Sequence, residues 1–169
     1  MKRIGPLLGL CLLASGAVTQ ACADPPVPTT RDILADIQAV RAANGRSARG
    51  DRADRLLEDL NKVWYVWAMD SLDGEVIDAM IPLLRDDNDL VRMDAAAGIG
   101  LFGPRAGRAV PALKHARKLR SHELAKMDIS GGSGPDSLGS ISVALDRIKG
   151  VPDDVIFKGD PRERGPRPK

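Results

Sequence analysis

Apolar positions recur at helical spacing along most of this chain. Runs of β-branched residues alternating with period two are missing, so no strand is predicted. Thr29 or Thr30 caps a first helix carrying Ile33, Leu34, Ile37 and Val40, and Asn44-Gly45 stops it. A second helix opens near Asp51. Its stripe is Leu56, Leu57, Leu60, Val63, Trp64 and Trp67. A third starts after Asp73 with Val76, Ile77, Met80, Ile81 and Leu84. Pro82 lies inside it and should bend it, because the ring removes a backbone donor. After the turn Asp86-Asp87-Asn88-Asp89 a fourth helix runs to Gly103-Pro104. The fifth carries Ala106, Ala109, Val110, Leu113 and Ala116. The sixth carries Leu138, Ile141, Ala144, Leu145 and Ile148 and stops at Gly150. The segment from Lys126 to Ser137 reads as a loop by composition. The proline-rich, charged tail from Val151 reads as partly disordered.

Six helices in consecutive pairs suggest an internal repeat. Residues 97–103 align with 144–150 through Ala97/Ala144 and Gly103/Gly150. Upstream, Ile81-Pro82-Leu83-Leu84 aligns with Val110-Pro111-Ala112-Leu113. The stretch Pro82-Leu83-Leu84-Arg85-Asp86, followed by Val91-Arg92-Met93-Asp94-Ala95-Ala96-Ala97-Gly98-Ile99-Gly100-Leu101-Phe102-Gly103, resembles a HEAT repeat of the kind found in phycobilisome-lyase-like proteins. The likeness is good over residues 73–105 and partial over 104–150. Residues 29–70 join by analogy of helical pattern. It departs from the family pattern where Gly98 stands for alanine, Ile99 for leucine and Phe102 for isoleucine.

The resemblance implies an all-α fold, a short right-handed α-α superhelix of about three antiparallel helix pairs. Residues 24–150 would form it, and 151–169 would be a C-terminal extension whose Val155, Ile156 and Phe157 fold back as a cap. It also implies that Asp86 and Arg92 are structural, bonding turns to adjacent repeats. The second helices, residues 51–69, 89–102 and 137–149, would line the concave side.

Stacked pairs explain small residues in the fourth helix. Val91, Ala95, Ile99 and Phe102 share one face, and Ala96 with Gly100 lines the next, where another helix would come close. Gly98 points away from Gly100 by roughly 200° and serves a different neighbour or none.

The N-terminal segment changes the picture of where the chain works. Lys2-Arg3, an uncharged stretch from Ile4 to Val18 and Ala21-Cys22-Ala23 have the order of a signal peptide, residues 1–23. The expectation is an exported protein, periplasmic or secreted. Cys22 leaves a lipid anchor as an alternative, although Gln20 fits a lipoprotein cleavage site poorly. Cleavage after Ala23 removes both cysteines, Cys11 and Cys22, and leaves 23 basic against 23 acidic residues. That neutral balance, without a basic stripe carrying aromatics, argues against nucleic acid. No later segment is apolar enough to span a bilayer.

Candidate chemistry is sparse. His115 and His122 sit two turns apart, about 10 Å by helical rise, too far for one metal. The aspartates at 86, 87 and 89 lack the alternation, glycine and distal glutamate of a calcium loop and suit helix capping. Ser130–Ser137 has glycines but neither a following Lys-Ser/Thr nor a preceding strand. No metal or cofactor is expected. Of the chain's five aromatic residues three are Trp64, Tyr65 and Trp67. The tryptophans either pack inside the first pairs, or Trp67 joins Tyr65 as an exposed anchor rimmed by Arg52, Arg55 and Lys62. Met93, Asp94 and Arg147 are read as solvent-facing residues of the same surface.

The sequence therefore points to a non-catalytic module that binds another protein. The alternatives are an enzyme of lyase type on the same scaffold, or a lipid-anchored envelope component.

Overall fold

The computed structural model describes residues 26–66, 68–126 and 136–157. Residues 1–23, the expected signal peptide with Cys22, lie outside the described residues, as do Trp67, most of the expected glycine-rich loop and the end of the C-terminal extension. Among the described residues all regular structure is helical: α1 (Thr30–Ala42), α2 (Arg46–Tyr65), α3 (Gly74–Met80), α4 (Asp89–Leu101), α5 (Val110–Leu124), α6 (Ser137–Ile148) and α7 (Asp153–Ile156), with 3-10 segments at Met69–Ser71, Ile81–Arg85 and Gly103–Ala109. The fold is all-α, and no described helix is long and apolar enough to cross a membrane.

Local chemistry sets most boundaries. Thr29 starts α1 through a reciprocal capping box: its hydroxyl accepts from the Asp32 N–H, while its own N–H donates to the Asp32 carboxylate at 2.9 Å. α2 begins at Arg46, a turn and a half earlier than the apolar stripe predicts. Gly45, at φ +92°, reverses the chain and its carbonyl accepts the Arg49 N–H. The added residues are mostly polar and so carry no periodic signal, yet Gly50 is buried. Pro82 ends α3 at Met80, and the chain continues as a 3-10 segment to Arg85. The predicted fifth helix divides in the same way, with Ala106 and Ala109 buried in a 3-10 segment and α5 starting at Val110.

Consecutive elements pack as pairs: α1 with α2, α3 and its 3-10 extension with α4, and the Gly103–Ala109 segment and α5 with α6. α4 sits in the middle, against both α2 and α6. It runs in the same direction as each. Gly50 and Leu90 meet near the starts of α2 and α4, and Leu60 and Gly98 meet farther along. Asp89 meets Ser137 at the starts of α4 and α6, and Gly100 meets Ala144 near their ends. One continuous core results, with Ile33, Leu60, Met80, Ile99, Leu113 and Ile141 among its buried side chains.

Gly98 and Gly100 serve opposite neighbours. A Cβ on Gly98 would lie 2.7 Å from Leu60 Cδ1 of α2 and 3.3 Å from Met80 Sδ. A Cβ on Gly100 would lie 3.1 Å from the Cα of Ala144 in α6. Gly100 removes an atom that would push against the backbone of α6, whereas Gly98 makes room for the tip of Leu60 from α2. Ala96 is buried without exposure on the same helix.

The turns are tied by an ionic chain crossing all three pairs. The Asp86 carboxylate accepts the Asn88 N–H at 2.8 Å and Arg49 Nε of α2 at 3.3 Å, and Arg49 also pairs with Asp87. Arg92 donates 2.8 Å to the Asp86 carbonyl, 3.0 Å to Asp89 and 2.9 Å to Glu123 of α5. Arg92 thus grips the backbone of Asp86 and leaves its carboxylate to the preceding pair. Asp89, buried, also receives the Ser137 hydroxyl and faces Arg120 at 2.8 Å. Two guanidiniums and two carboxylates balance in this knot, which is buried except at the partly exposed Glu123, the condition under which buried charge is tolerated.

Candidate interaction surface

The C-terminal ends of α2, α4 and α6 lie side by side because the three helices run in parallel. Trp64, near the end of α2, is half-buried against the core. Being next in a helix, Tyr65 points about 100° away. It is 72% exposed, with its ring edge-on to Trp64 at 5.2 Å. Val66 follows, 53% exposed. Val27, Leu119 and Val155 are the other large apolar residues left exposed among the described residues.

Beside them opens a cleft of about 250 Å³. It is lined by Trp64 of α2, Gly100 and Leu101 of α4, and Arg147, Pro152 and Asp153 at the end of α6 and beyond it. Gly150, at φ +79°, turns the chain out of α6, and the Val151 N–H returns to the Asp146 carbonyl. That reversal brings α7 back onto α6, where Arg147 is held by both oxygens of Asp153 at 2.8 and 3.1 Å and lies 5.8 Å from the Phe157 ring. Ile156 and Phe157 are half-buried. Val155 stays exposed, which corrects its expected part in the cap.

The expected surface residues divide. Arg147 lines the cleft, engaged by Asp153, and Tyr65 is exposed next to Trp64, which lines it too. Trp67 lies outside the described residues. Arg52 and Arg55 are exposed on α2. They stand ~15–20 Å before Tyr65 by helical rise, so they do not rim the aromatic group. Lys62 is tied to Asp59 at 2.6 Å. Met93 is half-buried.

Asp94 corrects the sequence reading outright. It is 2% exposed, and neither carboxylate oxygen has a hydrogen-bond partner. It lies one turn before Gly98, on the side of α4 that meets α2. Burial, with the Asp54 carboxylate of α2 beside it, pushes its pKa up to about 7. Asp54 was not singled out by sequence reasoning. Its signal was a register: Gly50 meets Leu90, and the same spacing sets Asp54 against Asp94.

His115 and His122 line another groove with Lys118 and Leu119 on the outer side of α5, about 560 Å³. Among the described residues no three or more His, Cys, Asp or Glu side chains converge to hold a metal ion. No protein-family model matches the sequence, and neither a curated protein nor a solved structure matches it.

Proposed function

We propose that the chain is an exported protein-interaction module of HEAT-like type, whose stacked helix pairs present the ends of α2, α4 and α6 to another protein. The observation that carries this reading is Tyr65 with Val66, two adjacent exposed residues that directly follow Trp64, a residue lining the cleft. Aromatic side chains beside partly filled clefts supply much of the binding energy in protein interfaces. An apolar side chain of the partner would enter between Trp64 and Pro152, with Tyr65 packing over its flank.

The lyase-type alternative would need reachable polar groups. Asp94 has an acid strength suited to general acid–base chemistry, but both its oxygens are sealed from solvent. That favours the binding reading.

The test is photo-crosslinking from position 65 in an envelope extract of the source cells, with the exposed position 31 of α1 as control. Position 65 should capture one stoichiometric partner, and Tyr65→Ala should abolish its co-purification. Equal capture from both positions, or a partner indifferent to Tyr65→Ala, overturns the proposal.

A further inference from the structure

Two pairs of like-charged carboxyls lie on the two seams of α2. Toward α4, Asp54 faces Asp94. Toward α1, Asp36 faces Asp59. Like charges across a helix seam are unfavourable unless something lies between them.

At the α2–α4 seam the residue that could relieve the repulsion is missing. The Asp94 oxygens have no donor, and the group facing them is another carboxylate. Of the cations on the surrounding elements, Arg52 and Arg55 of α2 and Arg85 at the end of the Ile81–Arg85 segment are exposed, and three others have partners of their own. Arg147 of α6 is held by Asp153, Arg92 of α4 itself by Asp89 and Glu123, and Arg105 of the Gly103–Ala109 segment by Asp70 and two carbonyls. From α3, Asp78 is taken by Arg108. A carboxyl pair in such a place becomes a good contact when one member is protonated, because the acid O–H then donates to the other carboxylate. The seam around the pair is tight: Gly98, one turn on, lets Leu60 approach within what would be 2.7 Å of a Cβ.

We propose that Asp54 and Asp94 hold a single proton between them and make the α2–α4 seam a pH-responsive joint, packed while the proton is held and loosened when it leaves. The reaction is one proton lost to solvent from the O–H between the two carboxylates, leaving two negative charges face to face. On the opposite seam of α2 burial and Asp59 raise the Asp36 pKa, although Lys62 pairs with Asp59 and Arg55 opposes the rise, so the bare acid–acid contact is the one at Asp94. α2 also carries Trp64 and Tyr65 while α4 carries Leu101, so the joint would control the width of the cleft. That last consequence rests on the proposed interface. The joint itself does not.

The direction of the pH effect follows from linkage. A carboxyl whose pKa is raised on folding binds its proton more tightly in the folded state. Its contribution is fully present below the unfolded value near ~4 and is lost as pH rises toward about 7. The experiment is carboxyl-carbon NMR titration of the full chain together with melting between about pH 5 and about pH 8. Asp94 should titrate near neutrality, and the melting temperature should fall by about 5 °C or more across the range. Asp94→Asn should flatten that slope. Asp54→Asn, at an exposed position where folding is not at stake, should move the Asp94 midpoint down. An Asp94 midpoint below about pH 5, a slope that survives Asp94→Asn, or a midpoint unmoved by Asp54→Asn overturns the proposal. So does millimolar calcium or magnesium that restores the melting temperature at alkaline pH in the wild type but not in Asp94→Asn, which would make the pair a cation site. Failure of Tyr65 to capture a partner leaves all these outcomes unaffected.

Discussion

Gly100 of α4 lies directly against Ala144 of α6, and a Cβ on Gly100 would sit 3.2 Å from the Ala144 Cβ and 3.1 Å from its Cα. The second distance matters more. A side-chain tip can swing aside, whereas a Cα moves only if a helix moves. Gly100→Ala should therefore destabilise by about 1–3 kcal/mol despite the better helix propensity of alanine. Gly98→Ala meets the tip of Leu60, so propensity and crowding nearly offset, within ~1 kcal/mol. Urea denaturation of the two variants checks the ranking. A Gly98→Ala variant that loses more stability than Gly100→Ala contradicts the assignment.

Buried and exposed ion pairs should separate sharply. Asp89 faces Arg92, Arg120 and Ser137 from a position 6% exposed. Asp89→Ala leaves two guanidiniums near a single carboxylate and should cost about 3–5 kcal/mol. Arg108 and Asp78 form a pair with both partners about half exposed. Arg108→Ala should change stability by no more than ~0.5 kcal/mol. Equal losses in thermal denaturation would mean that the buried knot does not hold the turns.

Helix existence and the central role of α4 were legible in the sequence because both rest on periodicity and on small residues at set positions. Val91, Ala95, Ile99 and Phe102 are all buried, as their spacing predicts. The start of α2 was not legible. Arg46, Ser47 and Arg49 carry no apolar period, and Gly45 acts through a backbone angle that sequence does not display. Asp94 was misread for a related reason. An aspartate on a helix is normally a solvated residue, and its burial depends on a parallel register between α2 and α4 that no local pattern encodes. Arg52 and Arg55 share a helix with Tyr65 but not a neighbourhood, because they lie thirteen and ten positions before it along α2.

Tyr65 should matter for binding and not for folding. Its side chain is mostly in solvent, and its ring forms a T-shaped pair with Trp64. Tyr65→Ala should shift stability by less than ~1 kcal/mol, since aromatic pairs contribute about 0.5–1.5 kcal/mol and this one is largely exposed. Trp64→Ala should cost about 3 kcal/mol or more, because that ring packs on the core. A calorimetric scan of both separates anchor from framework. Equal destabilisation would place Tyr65 in the framework.

The C-terminal arm closes the last helix pair, and its worth can be measured in steps. Arg147 and Asp153 form a two-pronged pair, with side chains 20% and 42% exposed. Partial solvation limits that pair to about 1 kcal/mol or less. The half-buried Ile156 and Phe157 add apolar contact over α6, with Phe157 also beneath the Arg147 guanidinium. Truncation after Phe157 should leave the melting temperature within about 2 °C of the full chain, because every contact described for the arm survives. Truncation after Gly150 removes the pair, the ring and part of the cleft's lining, and should cost about 1–3 kcal/mol. Asp153→Ala should fall between the two and speed amide exchange at residues 151–157, since it frees the arm without deleting it. If truncation after Gly150 is as stable as truncation after Phe157, α7 rests on α6 without stabilising it, and the last pair is held by the buried face of α6, Ile141, Ala144, Leu145 and Ile148.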